Sequence, residues 1–421
     1  MRNTLKNLAA PDRAGHPRGM YSVCSAHPLV IEAALLQAKA DGTELLIEAT
    51  CNQVNQFGGY TGMQPLDFVH FVQAIARQVD FPEGDLVFGG DHLGPNPWRH
   101  QPAAQAMAFA KDLLRAYAAA GFQKLHLDAS MRCADDPAVL SDSVVAERAA
   151  ALCEAAEAVA TGVAVYVIGT EVPVPGGATE ELAQIELTAP AAAQHTLQVH
   201  EAAFQALHLQ GAWERVIALV VQPGVEFDHT RVMDYQPEKA VALSAFQKGQ
   251  SKLVFEAHST DYQRADLLAK LVEDGFAILK VGPGLTFALR EALYALELVE
   301  QELVHVAARS HLRAVVESEM LHHPQDWVHY YGGDAVQQAR LRVFSYSDRV
   351  RYYWGRPDIV AATDRLLKNL GGLQIPENLV SQHLPAQYAA YRLGKIPLAA
   401  RDLVLDRIRD AIRPYALACR A

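Results

Sequence analysis

Short apolar runs alternate with amphipathic stretches through residues 1–300. The runs occupy 20–24, 45–48, 86–88, 124–127, 163–168, 216–221, 252–255 and 277–281, and each closes on polar or glycine residues. Between them, apolar residues recur at helical spacing over 28–40, 65–79, 101–121, 141–161, 195–209, 233–248, 261–274 and 286–304. Strand ends 25 to 50 residues apart leave room for one crossover helix each. Eight such units predict an α/β fold of the (β/α)8 barrel type. The alternative is a doubly wound sheet, which is weaker because no Gly-x-Gly-x-x-Gly follows the first strand. Beyond residue 300 the strand pattern stops. Helical stretches at 305–321, 334–344, 357–370, 386–394 and 397–416 predict a helical extension, 301–421, packed on the barrel.

Composition narrows the function. Half of the 421 residues are hydrophobic, the net charge is −11, and no Lys/Arg-rich stripe appears. Nucleic acid and anionic membrane surfaces are therefore excluded as main partners, whereas a small anion needs only a local cluster of donors. Five cysteines without a Cys-x-x-Cys pair fit a reducing cytoplasm. Residues 1–20 are polar, contain Pro11 and Pro17, and lack a signal-peptide core; no apolar run reaches membrane-spanning length.

Barrel enzymes gather their chemistry at the C-terminal ends of the strands. Here those ends carry Asp91-His92 on the third strand, Asp128 on the fourth, Glu171 on the fifth and His258 on the seventh. His92 and His258 are the candidate metal ligands, with Glu171 or Asp128 as a third. Asp91 is a candidate proton carrier; the alternative is an aspartate that caps backbone in the Gly94-Pro95 turn. Gly282 and Gly284, before the last barrel helix, offer backbone N–H groups as a phosphate cradle, with Ser259 and Thr260 beside them. In the tail, Arg349 or Arg351 could grip a phosphate, the alternative being aromatic packing with Arg349 paired to Asp348 or a barrel carboxylate.

The stretch Gly89-Gly90-Asp91-His92-Leu93-Gly94-Pro95-Asn96-Pro97-Trp98 resembles the signature of the GatZ/KbaZ family, the tagatose-bisphosphate aldolase accessory subunits. Residues 21–28 and 48–56 resemble it too, as do Ser347-Asp348-Arg349 and Arg351-Tyr352-Tyr353-Trp354. The resemblance implies a TIM barrel with a helical C-terminal extension and a role in ketohexose phosphate metabolism, such as galactitol or N-acetylgalactosamine breakdown. It also implies a more distant similarity to class II aldolases. Asp91-His92 looks like the Asp-His pair of those enzymes and His258 fits their seventh strand, but Gln222 stands where the sixth strand would supply a histidine.

The expected activity is metal-dependent 4-epimerisation of D-tagatose 6-phosphate to D-fructose 6-phosphate by retro-aldol cleavage and re-addition. Asp91 would move the proton, with Glu171 or Asp128 as second acid/base. The substrate and its phosphate would rest on Ser259, Thr260, Gly282, Gly284, Arg349 and Gln222. The cofactor would be a divalent metal on His92 and His258, zinc by its histidine ligands, with manganese, cobalt or magnesium fitting mixed oxygen ligands. The alternative is a non-catalytic accessory subunit whose partner is an aldolase catalytic subunit; a homo-oligomer is left open. A kinase is disfavoured by the lack of a Gly-x-x-x-x-Gly-Lys-Ser/Thr loop.

Overall fold

A computed structural model describes residues 4–8, 19–170 and 185–420. Eight parallel strands close into a barrel: β1 (Met20–Cys24), β2 (Leu45–Thr50), β3 (Leu86–Leu93), β4 (Lys124–Leu127), β5 (Val165–Ile168), β6 (Val216–Val221), β7 (Val254–Ala257) and β8 (Ile278–Val281). Neighbours in sequence are neighbours in space, and β8 pairs with β1 through Met20↔Ile278 to Val23↔Val281.

Because side chains alternate along a strand, each strand serves two environments. Tyr21, Val23, Leu45, Ile47, Leu125, Tyr166, Leu219, Phe255 and Leu279 join the main core under the helices. Met20, Leu46, Val87, Val165, Val254 and Ile278 form a separate buried cluster with Leu5 and Leu8 of the short N-terminal helix, Thr4–Leu8. Two residues further along, the same face of four strands carries Ser22, Glu48, Glu256 and Lys280, all buried. The next step reaches Cys24, Thr50, His258 and Gly282. The barrel interior thus changes from apolar to charged to reactive along its axis, and period two alone sets the layers.

The third strand runs five residues beyond the expected end at residue 88. The strand carries Gly89, Gly90, Asp91 and His92 and ends at Leu93, before the Gly94-Pro95 turn. A Cβ on Gly89 would sit 2.5 Å from Glu48 Oε1, and one on Gly90 would sit 2.5 Å from the Leu93 side chain. Gly89 allows close approach of Glu48 from the neighbouring strand, and Gly90 that of Leu93 and of Tyr117 from the helix Ala103–Ala119. Asp91 and His92 are therefore strand residues.

The last helix, Ala400–Arg420, repeats apolar residues at Val404, Ile408, Ile412 and Ala416, the i, i+4 spacing of one face. That face packs against Pro28–Asp41, Ala265–Glu273 and Pro283–Leu303. Its residues belong to the same core as the barrel's outer layer, and Tyr415 donates from its hydroxyl to the Thr260 carbonyl at 2.6 Å. No described helix is long and apolar enough to cross a membrane.

Candidate active site

The charged layer is a continuous network. The Lys124 ammonium, fully buried, lies 2.7 Å from Glu48 Oε1 and 2.7 Å from Glu256 Oε2. Lys280 contacts the other oxygen of Glu48 and stands 2.9 Å from Asp91 Oδ1. Burial pulls the Lys280 amine down to about 8. Glu256 Oε1 is 2.9 Å from His258 Nε2. Burial would push the Glu256 carboxyl up, but Lys124 and the His258 hydrogen bond more than offset it and hold it low.

Three imidazoles cluster above this layer. The ring centroids of His92, His126 and His258 lie 4.9 to 5.2 Å apart. His92 Nδ1 is 2.8 Å from Asp128 Oδ2, and its Nε2 is 3.8 Å from Asp91 Oδ2. Burial opposes a charge on His92, yet Asp91 and Asp128 raise it to about 9. His126 is differently placed: Nδ1 stands 3.1 Å from both Asp91 Oδ1 and the His92 amide nitrogen, while its Nε2 is buried without a hydrogen-bond partner.

Asp91, His126, Glu256 and His258 each offer one ligand atom, all within 4.8 Å of one another. Two imidazoles and two carboxylates form a donor set suited to a divalent transition metal. His258 belongs to this group. His92 does not; it lines the cavity instead and is oriented by Asp128, which in turn accepts from the Ser130 hydroxyl at 2.6 Å.

Above the network, an inner chamber of about 80 Å³ is lined by Cys24, Asp91, His92, His258, Ser259, Lys280, Gly282 and residues of the second βα loop and the tail. It adjoins an outer chamber of about 610 Å³ between the barrel mouth and the tail. Cys24, Gln53, Tyr60, Gly282, Arg351 and Tyr352 line both. Two residues of the inner wall, His92 (φ 47°) and Ser259 (φ 52°), are non-glycine residues in the left-handed region. Such conformations cost of order 1–3 kcal/mol each and cluster at functional sites.

The tail reaches the mouth because Asp348 is pinned there: its carboxylate accepts from Thr286 Oγ1 at 2.6 Å and from Arg290 Nε at 3.3 Å. Arg349 and Arg351 then diverge. Arg349 stacks over Tyr330, 3.4 Å from its centroid, and donates to the Asp326 carbonyl. Arg351 lines both chambers.

The other expected binding residues have defined places. Ser259 and Gly282 line the inner chamber. Thr260 is buried behind it, donating to the Lys280 carbonyl at 2.6 Å. Gln222 staples its own turn, accepting from the amides of Gly224 and Val225 at 2.8 and 3.1 Å. The amides of Gly282 and Gly284 donate to Asp261 Oδ1 at 2.9 and 2.7 Å, so the expected cradle already holds a carboxylate. Glu171 lies outside the described residues. The residues that sequence reasoning left out of the site are His126, Glu256, Glu48, Lys124 and Lys280.

Beside the chamber, Glu226 opens a two-residue ribbon, Glu226–Phe227, paired with Val232–Met233. Burial pushes its carboxyl up to about 7, against the hydrogen bonds from the Phe227 amide and Ser259. An acid with a raised folded-state pKa binds its proton more tightly when folded. Its contribution therefore falls as pH rises from the ordinary carboxylate value through about 7. Glu226→Gln is expected to stabilise the chain by up to about 3 kcal/mol at pH 8 and to have little effect near pH 4.5. Urea unfolding at the two pH values measures this; an equal effect at both would remove the ionisation as its cause.

A closed parallel barrel with titratable side chains converging at the C-terminal ends of its strands has the architecture of TIM-barrel enzymes. The sequence matches, over residues 5–420, the family described as D-tagatose-1,6-bisphosphate aldolase subunit GatZ/KbaZ-like, and the chain belongs to that family. It is 51% identical to a probable tagatose 6 phosphate kinase from Sinorhizobium meliloti 1021, whose crystal structure superposes with a TM-score of 0.90 over 96% of this chain and 100% of that one. The fructuronate-tagaturonate epimerase UxaE from Cohnella laeviribosi matches at 12% identity and a TM-score of 0.45, covering 97% of this chain and 84% of that one. The YdjI aldolase from Escherichia coli K12 matches at 11% identity and a TM-score of 0.42, covering 91% and 96%.

Proposed function

We propose that the chain is a metal-dependent ketose-phosphate 4-epimerase that interconverts D-tagatose 6-phosphate and D-fructose 6-phosphate. The observation that carries this reading is the convergence of Asp91, His126, Glu256 and His258 beside a chamber into which Asp91 and His92 also face. A divalent cation on His126, Glu256 and His258, zinc by the histidines or manganese, cobalt or magnesium by the oxygens, would supply Lewis-acid polarisation of the ketose oxygens and leave Asp91 beside it for the proton. The chain's own groups handle the proton. Asp91 takes it from the C4 hydroxyl, while His92, held by Asp128, donates a hydrogen bond to the same oxygen.

The C3–C4 bond then breaks. Its electron pair moves toward C2 to leave an enediolate, and C4 becomes the aldehyde carbon of a three-carbon phosphate. Re-addition to the opposite face of that aldehyde re-forms the bond, and Asp91 returns the proton to the C4 oxygen. No oxidant or reductant is consumed. Lys280, 2.9 Å from Asp91, keeps the carboxylate in place through the cycle.

The family description names an aldolase subunit, and under that second reading the chain would be inert alone and would activate a catalytic partner. Incubating the purified chain with tagatose 6-phosphate and a divalent metal separates the two. Fructose 6-phosphate, formed in a chelator-sensitive reaction, is the expected product. No turnover, together with activation of an aldolase subunit, would overturn the epimerase.

A further inference from the structure

We infer that the outer chamber is a binding site for a phosphomonoester dianion, held by the Arg351 guanidinium, the Trp354 indole N–H and the His27 imidazole N–H. Three observations converge. First, the loop after β8 is not free to take an anion, since Asp261 occupies its amides. Second, Arg351 has no carboxylate at ion-pair distance among the described residues. Its hydrogen bonds go to the carbonyls of Ser347 and Asp348 and to the Tyr352 hydroxyl, so its charge faces the boundary of the chambers uncompensated by a direct ion pair. By contrast, Arg356 and Arg401, which line the same chamber, pair with Glu319 and Glu32.

Third, Trp354 is 4% exposed and lines the chamber, yet its Nε1 has no acceptor. A buried indole N–H without a partner costs about 1–3 kcal/mol, which a ligand oxygen would recover. His27 meets Trp354 edge-on, with ring centroids 5.8 Å apart. Its Nδ1 accepts from the Leu29 amide at 3.2 Å, which puts the ring proton on Nε2 and leaves a donor. Burial keeps that imidazole neutral, with its pKa lowered to about 3. Asp326 and Asp364 also line the chamber, and of its three arginines only Arg351 is without a carboxylate at ion-pair distance among the described residues.

The dianion need not be a sugar phosphate. That identity rests on the proposed function: the ketose end would lie in the inner chamber, and the ester would pass Tyr60 and Tyr352, whose rings meet at 4.8 Å, to reach Arg351. The test leaves turnover out. Inorganic phosphate is titrated calorimetrically into the full metal-free chain and into Arg351→Gln and Trp354→Phe. Arg351→Gln is expected to weaken binding about tenfold or more, and Trp354→Phe, which keeps the ring but removes the donor, several-fold. In the unmutated chain, phosphate is expected to protect Arg351 from phenylglyoxal, read by peptide mass; this arm needs no variant to fold. Absence of phosphate binding at tens of millimolar, equal affinity in all three chains, or unprotected Arg351 would overturn the site. Phosphate binding without epimerase activity would leave the site standing and sink only the proposed reaction.

Discussion

Lys124→Met is expected to destabilise the metal-free chain by about 3–5 kcal/mol, among the larger effects of any single substitution in this protein. Lys124 is fully buried, and its ammonium is shared between Glu48 and Glu256 at 2.7 Å each. Methionine fills much the same volume, so the loss is electrostatic rather than a cavity. Two buried carboxylates would lose their nearest common cation, with only Lys280 left to face both. The pH dependence follows from Glu256, which Lys124 holds low against burial. A depressed carboxyl contributes stability that is present above its unfolded value and lost as pH falls through its folded one. Without Lys124, Glu256 should take up a proton at higher pH, so the deficit should shrink as the solution is acidified toward pH 5. Urea unfolding at pH 7.5 and pH 5 measures both parts. A deficit below about 1 kcal/mol at pH 7.5 would mean that the network is solvated enough not to need the lysine.

These buried charges also explain what could be read from the sequence and what could not. Parallel strands covered on both faces appear as apolar runs, so all eight were legible to within a few residues. The ends of such runs advertised Asp91, His92, Asp128 and His258 because polar residues there have no structural need to be polar. The layer beneath was hidden inside the runs. In Lys124-Leu-His126-Leu, Val-Phe-Glu256-Ala and Ile-Leu-Lys280-Val, the charged or titratable residues share the lumen-facing positions, but embedded in apolar runs they read as core rather than as site. The two phosphate assignments depended on tertiary contacts instead. Arg349 and Arg351 share one 3₁₀ turn, Arg349–Tyr352, and only the docking of Asp348 on Thr286 and Arg290 decides which faces the mouth. Likewise, only the folded chain brings Asp261 to the amides of Gly282 and Gly284, about twenty residues away in sequence.

The histidines separate metal ligands from a hydrogen-bond donor to the reacting oxygen. His126→Ala and His258→Ala should each lower affinity for the divalent metal by more than the roughly 10–100-fold typical of losing an outer-shell partner, and turnover should fall with metal occupancy. His92→Ala should retain the metal and lose about 10²–10⁴-fold in turnover, the range for removing a positioned proton-transfer or hydrogen-bonding group. The distinction comes from the rings' partners. His92 is committed at Nδ1 to Asp128 at 2.8 Å and lines the chamber, whereas His126 is shielded from solvent and groups with Asp91, Glu256 and His258. Metal content by plasma emission, turnover at saturating metal, and unfolding of the metal-free proteins make the comparison. If His92→Ala lost the metal while His126→Ala kept it, the ligand set would return to the histidine that the strand-end motif first suggested, and His126 would be a positioning residue for Asp91.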